Sequence, residues 1–325
     1  MSIAESNKGK RELSYKRRLP NGAFYKTNGF EEFTADNIFV NHNANRSIYL
    51  DVTGYGYVHV EGECFGEFDK IEGIAADGNR LRLSTMRTFK SLKSLSLRDN
   101  QLESIEPIGS ELADTLTHLD LSENALGPDD LLRLSTCQLL QSLTFRANGL
   151  QTIPEGIADD PCFLSLTRLD LSDNYLTDSR AVYLLSTLHN LQHLLMSNNR
   201  LTFVPYLVTE QSRQVHCKSP DGHDNDTDGR GGDGQEETQP TVYGEETEYA
   251  NQFIYHVSHV PFVSLTDLDL SGNLIDRPSS ALSLMCWPSL KNIIMTANPV
   301  SSNRNSFEFD ILKETFESYD VQLKR

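Results

Sequence analysis

The amino-acid sequence predicts an α/β solenoid: a curved parallel sheet of short strands, a convex side of mixed helices and 3-10 turns, and a cap at each end. Two observations carry that expectation. The pattern L-x-x-L-x-L-x-x-N-x-L occurs seven times between Leu92 and Val300, and a weaker copy precedes it from Ile71 to Leu81. Its asparagines (Asn79, Asn100, Asn124, Asn148, Asn174, Asn199, Asn273 and Asn298) follow one another at 21, 24, 24, 26, 25, 74 and 25 residues. Such regular spacing marks stacked units, each of which buries its apolar face only against its neighbours.

Residues 1–30 hold seven Lys/Arg against Glu5 and Glu12, and read as a basic flexible tail. Residues 31–70 read as an N-terminal β cap. Within it Ile48, Leu50 and Val52 alternate with polar neighbours, Gly54-Tyr55-Gly56 is a turn signal, and Val58 and Val60 alternate again, which predicts a hairpin. The repeats proper fill 71–204. In a copy such as Leu92, Leu95, Leu97, Asn100, Leu102, the L-x-L alternation sends both leucines to one side of a strand. Each asparagine amide then meets backbone groups where the chain leaves the strand, so all of them read as structural.

The return segments differ among themselves. Gly127-Pro128-Asp129-Asp130 opens like a helix, with proline at the first helical position and acids in the first turn. Thr177–Leu188 and Pro278–Met285 carry helical spacing, whereas Thr152–Ile157 is shorter and irregular. The 74-residue interval exceeds a repeat of about 25 by roughly 49 residues. No L-x-x-L-x-L survives inside it, so residues 205–264 read as an acidic disordered insertion within one repeat. Its centre, 219–248, has ten acids against Arg230, while Phe253–Phe262 regains apolar content that can rejoin the core. Repeats resume over 265–300. In 301–325, Phe309, Leu312, Phe316 and Tyr319 mark one face of a short helix, a C-terminal cap.

Composition narrows the function classes. No stretch approaches the ~18 apolar residues of a membrane span. The first residues, MSIAESNKGKRELSYKRR, lack an apolar signal core, and the five scattered cysteines (Cys64, Cys137, Cys162, Cys217, Cys286) never form C-x-x-C. Both point to a reducing, cytoplasmic setting. A formal net charge of −17 disfavours nucleic acid. Asp224-x-Asp226-x-Asp228-Gly229 opens like a calcium loop, but Gln235 stands where a bidentate glutamate belongs, so no metal is expected. No nucleophile elbow, phosphate loop or histidine cluster is present in the sequence, which predicts neither catalytic residues nor a cofactor.

The repeats resemble the leucine-rich repeat family over roughly residues 71–300, less the insertion. The block Trp287-Pro288-Ser289-Leu290-Lys291, Ile293, Ile294, Asn298-Pro299 and Ile311-Leu312-Lys313 is similar to the end of the repeat domain in the X-ray radiation resistance-associated protein 1 family. Phe309-Asp310-Ile311-Leu312 stands where that family has Pro-Pro-Leu-Leu. The asparagine-proline end also resembles repeat proteins of cilia and flagella. These resemblances imply a non-catalytic interaction scaffold in a cytoskeletal, ciliary or axonemal assembly, with an axonemal or cytoskeletal protein as partner. A nuclear or DNA-damage-response protein, or a regulatory subunit of a phosphatase or dynein-type complex, is the alternative.

Residues between the strand leucines face the concave side. The candidate partner contacts are Ser96, His118, Asp120, Thr144, Arg168, Asp170, His193, Leu195, Asp269 and Ile294. Of these, His118, Arg168, His193, Leu195 and Ile294 depart from the common L-D-L-S-x-N pattern and stand out, with Leu195 and Ile294 expected as exposed apolar contacts. A third lane on the same face is expected through Gly78, Asp99, Glu123, Ala147, Asp173, Asn198, Gly272 and Ala297.

Overall fold

The computed structural model describes residues 49–60, 71–159, 162–209, 254–302 and 307–325 in full, together with the backbone of short strands elsewhere. The basic tail's side chains, residues 61–70, the acidic centre at 210–246 and the calcium-like loop lie outside the fully described residues.

An eleven-stranded sheet runs through the chain. Ten of its strands are parallel: Ile48–Asp51, Ile71–Ala75, Ser94–Ser96, His118–Asp120, Ser142–Thr144, Arg168–Asp170, His193–Leu195, Asp267–Asp269, Asn292–Ile294 and Gln322–Lys324. The central residue of each rung, from Leu50 through Leu169 to Leu323, is buried. Burying one such side chain is worth about 1.5–3 kcal/mol, and the common core makes that gain cumulative along the stack. Behind the strands lie the helices Pro128–Leu134 and Arg180–Leu185 and the 3-10 segments Leu83–Thr88, Glu155–Ala158 and Pro278–Cys286. These returns are wider than the ~4.8 Å strand spacing, so the sheet forms the concave side.

The helix at Pro128 starts where the acids predict. Asp130 is buried; its Oδ2 accepts from the Gly127 N–H at 2.9 Å, and its Oδ1 accepts from the Ile105 N–H at 2.8 Å and from Arg133 Nη1 at 2.7 Å. One carboxylate thereby caps its own helix and satisfies the preceding repeat.

The asparagines act between rungs. Asn124 donates from Nδ2 to the carbonyls of Leu97 and Leu121 at 3.0 and 2.9 Å, and its Oδ1 accepts from the N–H groups of Asn100 and Leu102 at 3.0 Å each. Asn148, Asn174, Asn199, Asn273 and Asn298 repeat the carbonyl contacts one rung at a time.

Four features differ from the sequence expectation. Ile48–Asp51 does not pair back onto His59–Val60. It pairs antiparallel with Val40–His42 and parallel with Ile71–Ala75, so it is the first rung of the stack itself. Leu50, Val52 and Tyr57 occupy its core positions, and the Tyr57 N–H donates to Asn79 Oδ1 at 3.0 Å. At the other end, Phe309, Leu312 and Phe316 are buried on the helix Phe307–Glu317 as expected, but Tyr319 lies beyond the helix end and is 65% exposed. The chain then turns at Asp320 and adds the strand Gln322–Lys324.

The ends of the insertion are built in rather than loose. Tyr206–Thr209 pairs parallel with Ile254–Val257, and Thr247–Tyr249 pairs antiparallel with Gln252–Ile254. Tyr255, Val257 and Phe262 are buried; the Tyr255 ring stacks on Tyr183 at 4.8 Å, and Phe262 packs on Trp287 at 4.3 Å. The expected third lane is the turn that leaves each strand: its residues, from Gly78 to Ala297, all have φ between 53° and 65°. At Gly272 a Cβ would sit 2.1 Å from Asn198 Oδ1, so a side chain there displaces the Asn198 amide.

Candidate functional site: the concave face

Strand register lines the outward side chains into two rows. One runs Asp51, Ala75, Ser96, Asp120, Thr144, Asp170, Leu195, Asp269, Ile294, Lys324. The other runs Tyr49, Gly73, Ser94, His118, Ser142, Arg168, His193, Asp267, Asn292, Gln322. All ten candidate contacts fall in these rows. Tyr49 lies across Gly73, where a Cβ would come within 2.2 Å of its ring.

Two hollows open on this face. The first, about 320 Å³, lies over Tyr49, Asp51, Ser96, His118, Asp120 and Thr144. The second, about 270 Å³, lies over Arg168, His193, Leu195, Asp269, Ile294 and Lys324, with Asp267 and Asn292 completing its floor. Leu195 and Ile294 are half-buried rather than exposed, because their neighbours on adjacent rungs shield their flanks.

Most carboxylates of the face have local work. Asp120 accepts from the Ser122 N–H at 2.8 Å and from its hydroxyl, Asp170 accepts from the Ser172 N–H at 2.9 Å, and Asp269 accepts from the Ser271 N–H and Oγ at 2.9 and 2.6 Å. These are bonds two residues along the chain that fix the strand exit, so the D-x-S pattern serves the scaffold. Asp267 is held more tightly. Partial burial raises its pKa, but donation from Thr266 Oγ1 at 2.6 Å and Asn292 Nδ2 at 2.8 Å, with His193 Nδ1 at 3.0 Å, outweighs that and leaves the carboxyl below its ordinary value. Asp77, bonded to Ser96 of the first hollow, moves the other way: burial raises it, against bonds from Ser96 Oγ at 2.5 Å and the Arg98 N–H at 3.1 Å.

The cations differ in the same way. Arg98 pairs with Glu123 and Arg146 with Asp173 along the strand-exit edge. Among the described residues the Arg168 guanidinium and the Lys324 ammonium have no ion-pair partner, and both side chains are exposed.

The second hollow gathers five of the ten candidates: Arg168, His193, Leu195, Asp269 and Ile294. Ser96, His118, Asp120 and Thr144 line the first, and Asp170 stands between the two groups. Sequence reasoning missed Tyr49 and Lys324, which belong to rungs without the repeat pattern. Alternation around Leu50 and Leu323 was the available signal.

The repeat pattern, the parallel rungs and the asparagine ladder decide the fold class together. The chain folds as a leucine-rich repeat solenoid. It is similar in part to X-ray radiation resistance-associated protein 1 of Mus musculus, with 27% identity over 213 residues, or 61% of this chain and 26% of that one. Oligodendrocyte-myelin glycoprotein of Homo sapiens is 28% identical over 149 residues, covering 46% of this chain and 32% of that one. The matched regions thus span about a quarter to a third of these relatives' own lengths. The crystal structure of internalin C2 from Listeria monocytogenes aligns with a TM-score of 0.45 at 16% identity, covering 76% of this repeat protein and 80% of that chain. No family model matches the chain. Among the described residues no helix is long and apolar enough to cross a membrane.

Proposed function

We propose that this repeat protein is a non-catalytic interaction module whose concave face holds another polypeptide, with Ser96, His118, Asp120, Thr144, Arg168, Asp170, His193, Leu195, Asp269 and Ile294 as contacts. The observation that carries this reading is the register. Ten parallel rungs fix two rows of mixed polar and apolar side chains on one face, open in two shallow hollows. A surface already ordered before binding loses little conformational entropy when a partner arrives. The experiment is site-specific photocrosslinking in the native cell from Thr144 and from Leu195, with Glu155 on the convex side as the control. One shared adduct from both concave positions, weakened by Arg168→Glu with His193→Glu, is the expected result. Adducts confined to Glu155 would sink the proposal.

The setting proposed is a cytoskeletal or ciliary assembly, on the resemblance of the repeat ends alone; neither relative's name bears on it. A second reading, a nuclear or DNA-damage-response role, is favoured by the similarity to X-ray radiation resistance-associated protein 1. Imaging of a tagged chain separates the two: accumulation in the nucleus alone would remove the first.

A further inference from the structure

The second hollow has a more specific chemistry than the face as a whole. Its two carboxylates are engaged: Asp267 by Thr266, Asn292 and His193, and Asp269 through Oδ1 by Ser271. Its two cations, Arg168 and Lys324, are exposed and have no ion-pair partner among the described residues. Between them Leu195 and Ile294 form half-buried aliphatic ground two rungs apart in one row. In a chain of net charge −17, this hollow therefore offers unpaired cationic donors at its ends and apolar surface at its centre.

The spacing sets what fits. Rungs are ~4.8 Å apart, so Leu195 and Ile294 stand ~10 Å apart along the row. A peptide in the polyproline II conformation advances ~3.1 Å per residue with three residues per turn, so residues three apart share a face and stand ~9.3 Å apart, over these two positions. Arg168 lies one rung before Leu195 in the adjacent row, and Lys324 one rung after Ile294 in the same row. We propose that this hollow binds a peptide segment in the polyproline II conformation lying across the strands, with aliphatic residues at positions i and i+3, an acidic residue at about i−2 and another at about i+4. Arg168 takes the first carboxylate in a charge-assisted, fork-shaped contact, and Lys324 takes the second. Asp269, between the aliphatic positions, is an acceptor for the peptide N–H groups passing over it. The proposal rests on the reading of the concave face as an interaction surface and names its ligand class.

The test uses the full chain and a fluorescein-labelled peptide, Glu-Pro-Leu-Pro-Pro-Leu-Glu, read by fluorescence anisotropy. Saturable binding is expected, weakened at least tenfold by Arg168→Glu and by Leu195→Asp, and unaffected by Glu155→Lys on the convex side. The Arg168→Glu chain should instead prefer the peptide whose first glutamate is lysine. Circular dichroism of each variant guards against unfolding, and because Arg168 is exposed its reversal leaves the core intact. No binding by the wild-type chain, equal binding of a peptide with both glutamates replaced by lysine, or an Arg168→Glu chain that binds as wild type overturns the proposal. Such a failure leaves the crosslinking result from Thr144 and Leu195 standing, so the two readings fall separately.

Discussion

The asparagine ladder makes a quantitative demand at Asn174. Its side chain is buried, and it donates to the carbonyls of Phe145, Leu171 and Ser172 at 3.1, 2.9 and 3.2 Å. Its Oδ1 accepts from the N–H groups of Asn148 and Leu150 at 3.0 Å each. In Asn174→Ala those two buried N–H groups lose this acceptor, at about 1–3 kcal/mol each, so a loss of about 4 kcal/mol is expected. The carbonyls have a second lone pair and add less. Asn190 is the control, since it is exposed and makes one side-chain bond, to the Leu164 carbonyl at 2.7 Å; Asn190→Ala should cost below about 1 kcal/mol. Stability in a solenoid is a sum of units and their interfaces, so the damage should concentrate at the rungs on either side. Urea unfolding followed by far-ultraviolet circular dichroism measures the total, and hydrogen exchange at the Asn148 and Leu150 amides locates it. If Asn174→Ala costs no more than Asn190→Ala, and those two amides stay protected, the account of the ladder is refuted.

Three further outcomes are expected. Gly73→Ala pushes the Tyr49 ring off the sheet, since the new Cβ would lie 2.2 Å from Cδ1, and should cost about 1 kcal/mol; in a Tyr49→Ala background the same change should cost almost nothing, as thermal unfolding of the four chains will show. Asp267 has a folded-state pKa below its ordinary 3.8, so it stabilises the fold above that value and loses this contribution as pH falls through and below it. The stability gap between wild type and Asp267→Asn should accordingly narrow from about pH 6 to about pH 3, and a gap that widens on acidification contradicts the carboxylate geometry. Burial pushes the Cys137 thiol up to about 11, whereas Cys286 is exposed; iodoacetamide followed by mass spectrometry should label Cys286 in the native protein and Cys137 only once the chain unfolds.

Wherever a rung carries both its leucines and its asparagine, the amino-acid pattern alone placed it correctly, down to the two rows in which Arg168 and His193, and Leu195, stand. The end rungs were hidden for a physical reason. In the first, Tyr57 takes the buried place of a leucine and Tyr55 the place of the asparagine, so the template fails while the backbone geometry persists. In the last, around Leu323, Asp320 and Arg325 stand where the preceding rung has Leu290 and Met295, so the template fails and with it Lys324 escaped notice. Of the insertion's stem, the apolar content of Phe253–Phe262 was legible, but Tyr206–Thr209 and Ile254–Val257 are far apart in sequence and their pairing was not. Composition likewise could not separate carboxylates that brace a strand exit from cations left open to a partner. That distinction lies in which donors surround Asp267 and Asp269, and it emerged only with the neighbouring rungs in place.

The paired stem has an architectural consequence. Leu194 abuts Leu268 in the sheet although 74 positions separate them in the chain. The spine passes this point as if nothing intervened, and Tyr206–Thr209 and Ile254–Val257 lie side by side where the chain departs from the repeats and rejoins them. Because the entropic cost of closing a loop grows only as the logarithm of its length, lengthening or shortening the connection between Thr209 and Thr247 costs little, and every rung keeps its neighbour.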